Sequence, residues 1–197
     1  MEPLSAVDVI KLLQRQPTPL FSLNDFERIL GIENRQTLYK KIQRLEDKKI
    51  IQRLIKGKYR FLLSTVNDFT MANFLYRPSY ISLETALSFY GIITGFPYQI
   101  TSITTQKARS FDVGAKEFKF SRISPSLFWG WEKKEDFLIA EKEKALLDYL
   151  YFGLKGILDF DLDEIDTTGI DRQKLLSFAS RFKSKPLLKA AAAMLKR

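Results

Sequence analysis

Asp112, Glu117 and Lys119 come first, because two carboxylates and a lysine in that order could hold Mg²⁺ through oxygen ligands against a phosphodiester. Their spacing argues otherwise: Glu and Lys at alternate strand positions are common on solvated faces, and Asp112 stands only five residues before Glu117. Asp159, Asp161, Asp163 and Glu164 could be drawn as a calcium loop, but the central Gly and terminal Glu are missing from the required register, leaving a solvated loop. Gly91-x3-Gly95 lacks the Gly-Lys-Ser/Thr that completes a phosphate-binding loop. Glu141, Glu143 and Asp148 alternate with lysines on a helical stretch, a pattern that predicts surface pairing at i,i+4. The chain has no cysteine and no histidine, which removes disulfides, thiolate zinc sites and Cys or His nucleophile–base pairs together. The expectation is a binding protein rather than an enzyme, with no catalytic residues, metal or cofactor.

What can be bound is written in the charge. The net charge is +9, and ten Lys/Arg against two acids between Arg35 and Arg60 account for almost all of it. A second basic block, Arg172 to Arg197, holds eight Lys/Arg and no acid, but it follows Asp159–Asp171 with six acids and no base. Those two neighbours are expected partly to neutralise each other. The Arg35–Arg60 block has no such neighbour, so its field is expected to face a polyanion.

The elements that would present this charge follow from periodicity. Val7, Ile10, Leu12 and Leu13 give a first apolar helical face that ends before Pro17. Ser22 or Asn24 can cap a second short helix, with Phe26, Ile29 and Leu30 inward and Gly31 stopping it. A third helix opens at Asn34, with Leu38, Ile42 and Leu45 on one face. Opposite them lie Arg35, Gln36, Tyr39, Lys40, Gln43 and Arg44. Ile50–Ile55 and Lys58–Leu62, joined at Lys56-Gly57, predict a β-hairpin.

Helix, helix, turn, basic helix and basic hairpin make the winged helix-turn-helix plan. The predicted class is α+β: a winged helix-turn-helix over residues 1–68, a linker over 69–78, and a mixed α/β domain over 79–197. In the second part Ser82 is expected to cap a helix ending at Gly91. Tyr98–Thr105 reads as a strand and Phe111–Phe120 as strand or turn material, with Ala140–Phe152 a helix and a last helix pair over 172–183 and 186–196. No apolar stretch is long enough to cross a bilayer, and the N-terminal residues lack a basic segment followed by an apolar block. A cytoplasmic location without membrane contact is expected.

The major groove of B-DNA admits a helix, and residues near that helix's N-terminus reach base edges. Arg35, Gln36, Tyr39 and Lys40 hold those positions. Arg44, one turn later, is expected on phosphate, and Lys56 and Lys58 at the hairpin tip on the backbone or minor groove. On this reading Arg35→Ala relaxes sequence preference, while Lys58→Ala weakens all sequences alike.

One further pattern carries a resemblance. Tyr80-Ile81-Ser82-Leu83-Glu84-Thr85-Ala86-Leu87-Ser88-Phe89-Tyr90-Gly91 is similar to the aromatic-x-Ser-x-x-x-Ala-Leu-x-x-(His/Tyr)-Gly signature of AbiEi-type antitoxins. Pro97, the strand Ile100–Thr105 and Ala140-Glu141-x-Glu143-Lys144-Ala145-Leu146-Leu147-Asp148 follow in the same order. The resemblance implies an antitoxin of an abortive-infection (type IV) toxin–antitoxin system. Such a protein represses its own operon through inverted repeats in double-stranded DNA and counteracts a nucleotidyltransferase-like toxin, with or without a stable complex. It assigns antitoxicity to no particular residue; Ser82, Ala86, Leu87 and Gly91 read as helix cap, packing and helix stop. The alternative is a plain winged-helix regulator whose second half senses a ligand or mediates dimerisation. The cations Arg181, Lys183, Lys185 and Lys189 read as a solvated helical face, with RNA or toxin binding the other reading.

Overall fold

The computed structural model describes residues 4–95, 97–159 and 165–195. The chain divides into two compact units, Met1–Asn67 and Asp68–Arg197. Both mix helix and sheet, and eight α-helices and two sheets are formed among the described residues. None of the described helices is long and apolar enough to cross a membrane.

The first unit runs α1 (Ala6–Gln14), β1 (Leu20–Ser22), α2 (Leu23–Leu30), α3 (Arg35–Asp47), β2 (Ile51–Ile55) and β3 (Lys58–Phe61). Its helix boundaries are set by local chemistry. Ser5 and Ser22 each form a capping box with the Asp three residues on, so orphan amides at the starts of α1 and α2 are satisfied reciprocally. Gly31 ends α2 with φ +62°, and the Asn34 side chain accepts from the Thr37 amide to open α3. At the far end of α3 the Lys49 amide donates to the Glu46 carbonyl and the Ile50 amide to the Leu45 carbonyl, with Lys49 in the left-handed region. That double closure throws the chain directly from α3 into β2.

Val9, Leu13, Phe26, Leu38, Ile42 and Leu45 bring the three helices onto one core, sealed by Tyr59 and Phe61 from the sheet. Val7, expected inward, is 58% exposed, because the inward stripe of α1 runs through Val9 and Leu13 instead. The sheet order is β1-β3-β2, all antiparallel, and β1 is a strand that periodicity did not announce. Ser22→Ala removes one half of the α2 capping box, in which its hydroxyl accepts from the Asp25 amide at 3.2 Å. It is expected to cost about 1 kcal/mol, lowering the first unit's melting transition by roughly 4–8 °C. Calorimetry of the full chain checks this, and an unmoved transition would deny the cap its role.

The second unit opens with α4 (Asp68–Leu75), then β4 (Ser79–Ile81), α5 (Leu83–Phe89), β5 (Gln99–Thr104), β6 (Arg109–Val113) and β7 (Lys116–Arg122). It continues through β8 (Trp131–Lys134), β9 (Phe137–Ala140), α6 (Lys142–Leu154), α7 (Arg172–Arg181) and α8 (Lys185–Met194). The six-stranded sheet has order β6-β7-β5-β4-β9-β8, parallel at β4–β9 and β5–β7 and antiparallel elsewhere.

Residues 69–78, expected as a linker, are not one. They form most of α4 and the approach to β4, and Met71 to Leu75 are buried. Asn73 explains why the segment cannot be free. Its amide donates to the Ser79 carbonyl (3.3 Å) and its carbonyl accepts from the Leu138 amide (2.6 Å), stitching α4 to β4 and β9. Phe69 packs edge-on against Phe137.

Candidate nucleic-acid interface

The geometry of α3 separates its residues cleanly. Leu38, Ile42 and Leu45 are at most 2% exposed, whereas Arg35, Gln36, Tyr39, Lys40, Gln43 and Arg44 all lie on the exposed side. Tyr39 is half exposed, an unusual position for a large aromatic ring that has no folding reason to face water. Lys56 is exposed beside Gly57, whose φ of +75° makes the tight reversal between β2 and β3, and Lys58 is half-buried on the other side of that turn. The cations are not equivalent. Lys41 turns back within its unit to donate to the Leu4 carbonyl. Arg35 lies against α2, its guanidinium 3.4 Å from both the Glu27 carboxylate and the Asn24 side-chain oxygen.

Sequence reasoning took Asn24 only as an alternative helix cap, where Ser22 holds that position, and did not single out Glu27. No spacing within one helix signals them, because the contact joins two helices across 8 and 11 residues of sequence.

In the second unit, Asp112 and Glu117 stand directly opposite each other on the β6–β7 hairpin, reversed at Gly114. Lys119 pairs with Ser110 two positions along, so the three share a face of the sheet despite their close spacing. Asp112 and Lys119 are exposed, Glu117 is half-buried, and an open depression there also takes in Glu84, Gln99 and Lys116. Among the described residues no group of three acidic side chains is placed to hold a metal ion. Of the acidic run 159–171, residues 161, 163 and 164 lie outside the described residues; Asp171 caps α7 by accepting from the Lys174 amide.

The surface pairing expected for Glu143 and Asp148 is corrected. Lys144 and Asp148 do pair at i,i+4, but both side chains are wholly buried. Asp148 also accepts from Tyr80 Oη (3.0 Å) and Ser82 Oγ (2.9 Å), and Lys144 Nζ donates to Tyr80 Oη (2.9 Å). The ammonium lies over the rings of Tyr80, Trp129 and Phe182 at 5.2–5.3 Å. Burial pulls Lys144 down from the ordinary lysine range and pushes Asp148 and Tyr80 up. Ser82 is therefore not the helix cap it resembles; its hydroxyl is spent on Asp148, and Leu83 follows with φ +59°. Glu143 is also buried, and Lys174 reaches it at 2.9 Å and Glu141 at 2.7 Å.

This quartet positions α6 on β4, and closed as it is to solvent it offers no surface to a ligand. A signal for it existed: around the helix Lys144 and Asp148 are flanked by Leu147 and Tyr151 on one side and Phe152 on the other, so these two charges do not stand on a polar face. Gly130, with φ +72°, passes so close that an added Cβ would stand 3.0 Å from the Lys144 chain. The cations Arg181, Lys183, Lys185 and Lys189 are exposed, with Arg181 stacked 3.6 Å over Trp129. Compared with known proteins, the chain matches no family model and no curated protein.

Proposed function

We propose that this chain is a DNA-binding autorepressor and antitoxin of the AbiEi type, acting on inverted repeats in its own promoter and against a nucleotidyltransferase-like toxin. The first unit is read as a winged helix-turn-helix, with α3 the recognition helix and the β2–β3 hairpin the wing. The observation that carries DNA binding is the exposed row Arg35, Gln36, Tyr39, Lys40, Gln43 and Arg44, on a helix held from behind by Leu38, Ile42 and Leu45. A row of amide, phenol and cationic groups on a rigid helix suits base edges and phosphates, and the charge block of the sequence falls on the same elements. The antitoxin part is supported by the Tyr80–Gly91 and Ala140–Asp148 resemblance.

Selection from a randomised duplex pool tests the first part. An enriched inverted repeat, with two protected half-sites about one or two helical turns apart, is expected. Absence of any enrichment would remove the reading. Co-expression with a nucleotidyltransferase-like toxin encoded beside it tests the second part: growth should be restored by the full chain and equally by a chain with Lys40→Glu, which impairs operator binding only.

A further inference from the structure

The helix that precedes a recognition helix crosses the phosphate backbone rather than entering the groove. A side chain drawn from the start of α3 onto α2 is therefore drawn away from base edges. Arg35 is such a side chain. It is the first residue of α3, and its guanidinium sits 3.4 Å from Glu27 and Asn24 of α2. Asn24, Glu27, Arg28, Glu33 and Arg35 line one open concavity at that corner, where Arg28 is already engaged with Asp25 at 3.6 Å.

Resting on the DNA-binding reading, we propose that Arg35 contacts a phosphate and reads no base, and that Glu27 acts as an electrostatic brake. Glu27 orients the guanidinium over α2 and offsets its charge, and on any duplex it stands beside the phosphate that Arg35 meets. The penalty of that like-charge approach falls on all sequences, so Glu27 lowers non-specific affinity. Base reading is left to Gln36, Tyr39 and Lys40, which are exposed and, among the described residues, show no such anchor on α2.

Fluorescence anisotropy of the full chain tests this, using the duplex enriched from a randomised pool and a scrambled duplex over a range of salt. Arg35→Gln is expected to weaken both duplexes by the same factor and to reduce the salt slope by about 0.9, one phosphate contact. Glu27→Gln is expected to strengthen both by about two- to fivefold at low salt, the scale of an exposed charge interaction. Gln36→Ala is expected to narrow the gap between the two duplexes without changing the slope. Melting curves establish that each variant is folded. Loss confined to the enriched duplex in Arg35→Gln, with an unchanged slope, overturns the proposal while leaving DNA binding intact, and so does unaltered affinity in Glu27→Gln. Failure of the unaltered chain to bind any duplex overturns the DNA-binding reading itself, and this proposal with it.

Discussion

Asp148→Asn is expected to cost the second unit about 3–5 kcal/mol, the usual effect of breaking a buried ion pair by removing one partner. The substitution changes shape little, but it strands the Lys144 ammonium in a site with no exposure to water. Tyr80 Oη and three aromatic faces remain around it, and none of them carries a full negative charge. Set against a typical stability of about 5–15 kcal/mol, that loss is a large fraction. A fall of roughly 10–20 °C in the unit's melting temperature follows from the size of the unit.

The direction of the pH response is fixed by Lys144. Burial already depresses its folded pKa, and Asp148 opposes that depression. With Asp148 neutralised, the folded lysine binds protons less readily still, while the unfolded lysine titrates near 10.4. Across the interval between, the unfolded chain carries more protons, so stability rises with pH. Denaturant titration of Asp148→Asn at pH 7 and near pH 10 should show recovery at the higher value. Lys144→Met combined with Asp148→Asn removes both charges and keeps an amide oxygen for Tyr80 and Ser82. The double variant is expected to be more stable than Asp148→Asn alone at pH 7. Equal stabilities would mean that Lys144 carries no stranded charge.

The same residues show what a one-dimensional reading yields and where it stops. The end of α2, the start of α3 and the β2–β3 reversal were legible, and the start of α2 to within two residues, because caps and left-handed closures act over three to five residues: Ser22, Gly31, Asn34 and Gly57 do their work locally. The outward row of α3 was legible for the same reason, since Leu38, Ile42 and Leu45 fix its phase. β1, β4 and β9 were not. They are three or four residues long, too short for a period, and each exists because of a distant partner. β4 lies beside β9 through a single parallel register, Ile81 with Ile139, and nothing near Ile81 in sequence reports that.

Ser82 fails differently. A serine before a helical pattern reads as a cap by local rule, but Asp148, 66 residues away, competes for the hydroxyl and wins. The lysines and acids of α6 were placed outward because charge normally defines the wet face. Packing of that helix between the sheet side and α7–α8 leaves it almost no wet face, so Lys144 and Asp148 satisfy each other inside. Arg35 was assigned by position on its helix alone; its anchorage on Glu27 is a relation between two helices that spacing within one helix cannot express.

If the first unit binds DNA as proposed and its charge matters by where it stands, Lys40→Glu with Lys56→Glu should abolish that binding in a way that an equal change elsewhere does not. Both side chains are exposed, one on α3 and one at the hairpin tip, and exposed substitutions of this kind usually alter stability by no more than about 0.5 kcal/mol. Each reversal replaces an attraction to phosphate by a repulsion, and like charges set against each other in an interface cost several kcal/mol. A loss of at least about a hundredfold in affinity on every duplex is expected at physiological salt, with a shallower salt dependence. Lys185→Glu with Lys189→Glu changes the net charge by the same amount on α8, where both side chains are also exposed. If α8 takes no part in holding DNA, that pair should leave affinity within about threefold at physiological salt, where charges beyond about 8 Å are largely screened. Anisotropy titrations of the two double variants on one duplex decide between a located interface and a merely basic protein. Equal losses in both would count against α3 and the hairpin as the place where DNA is held.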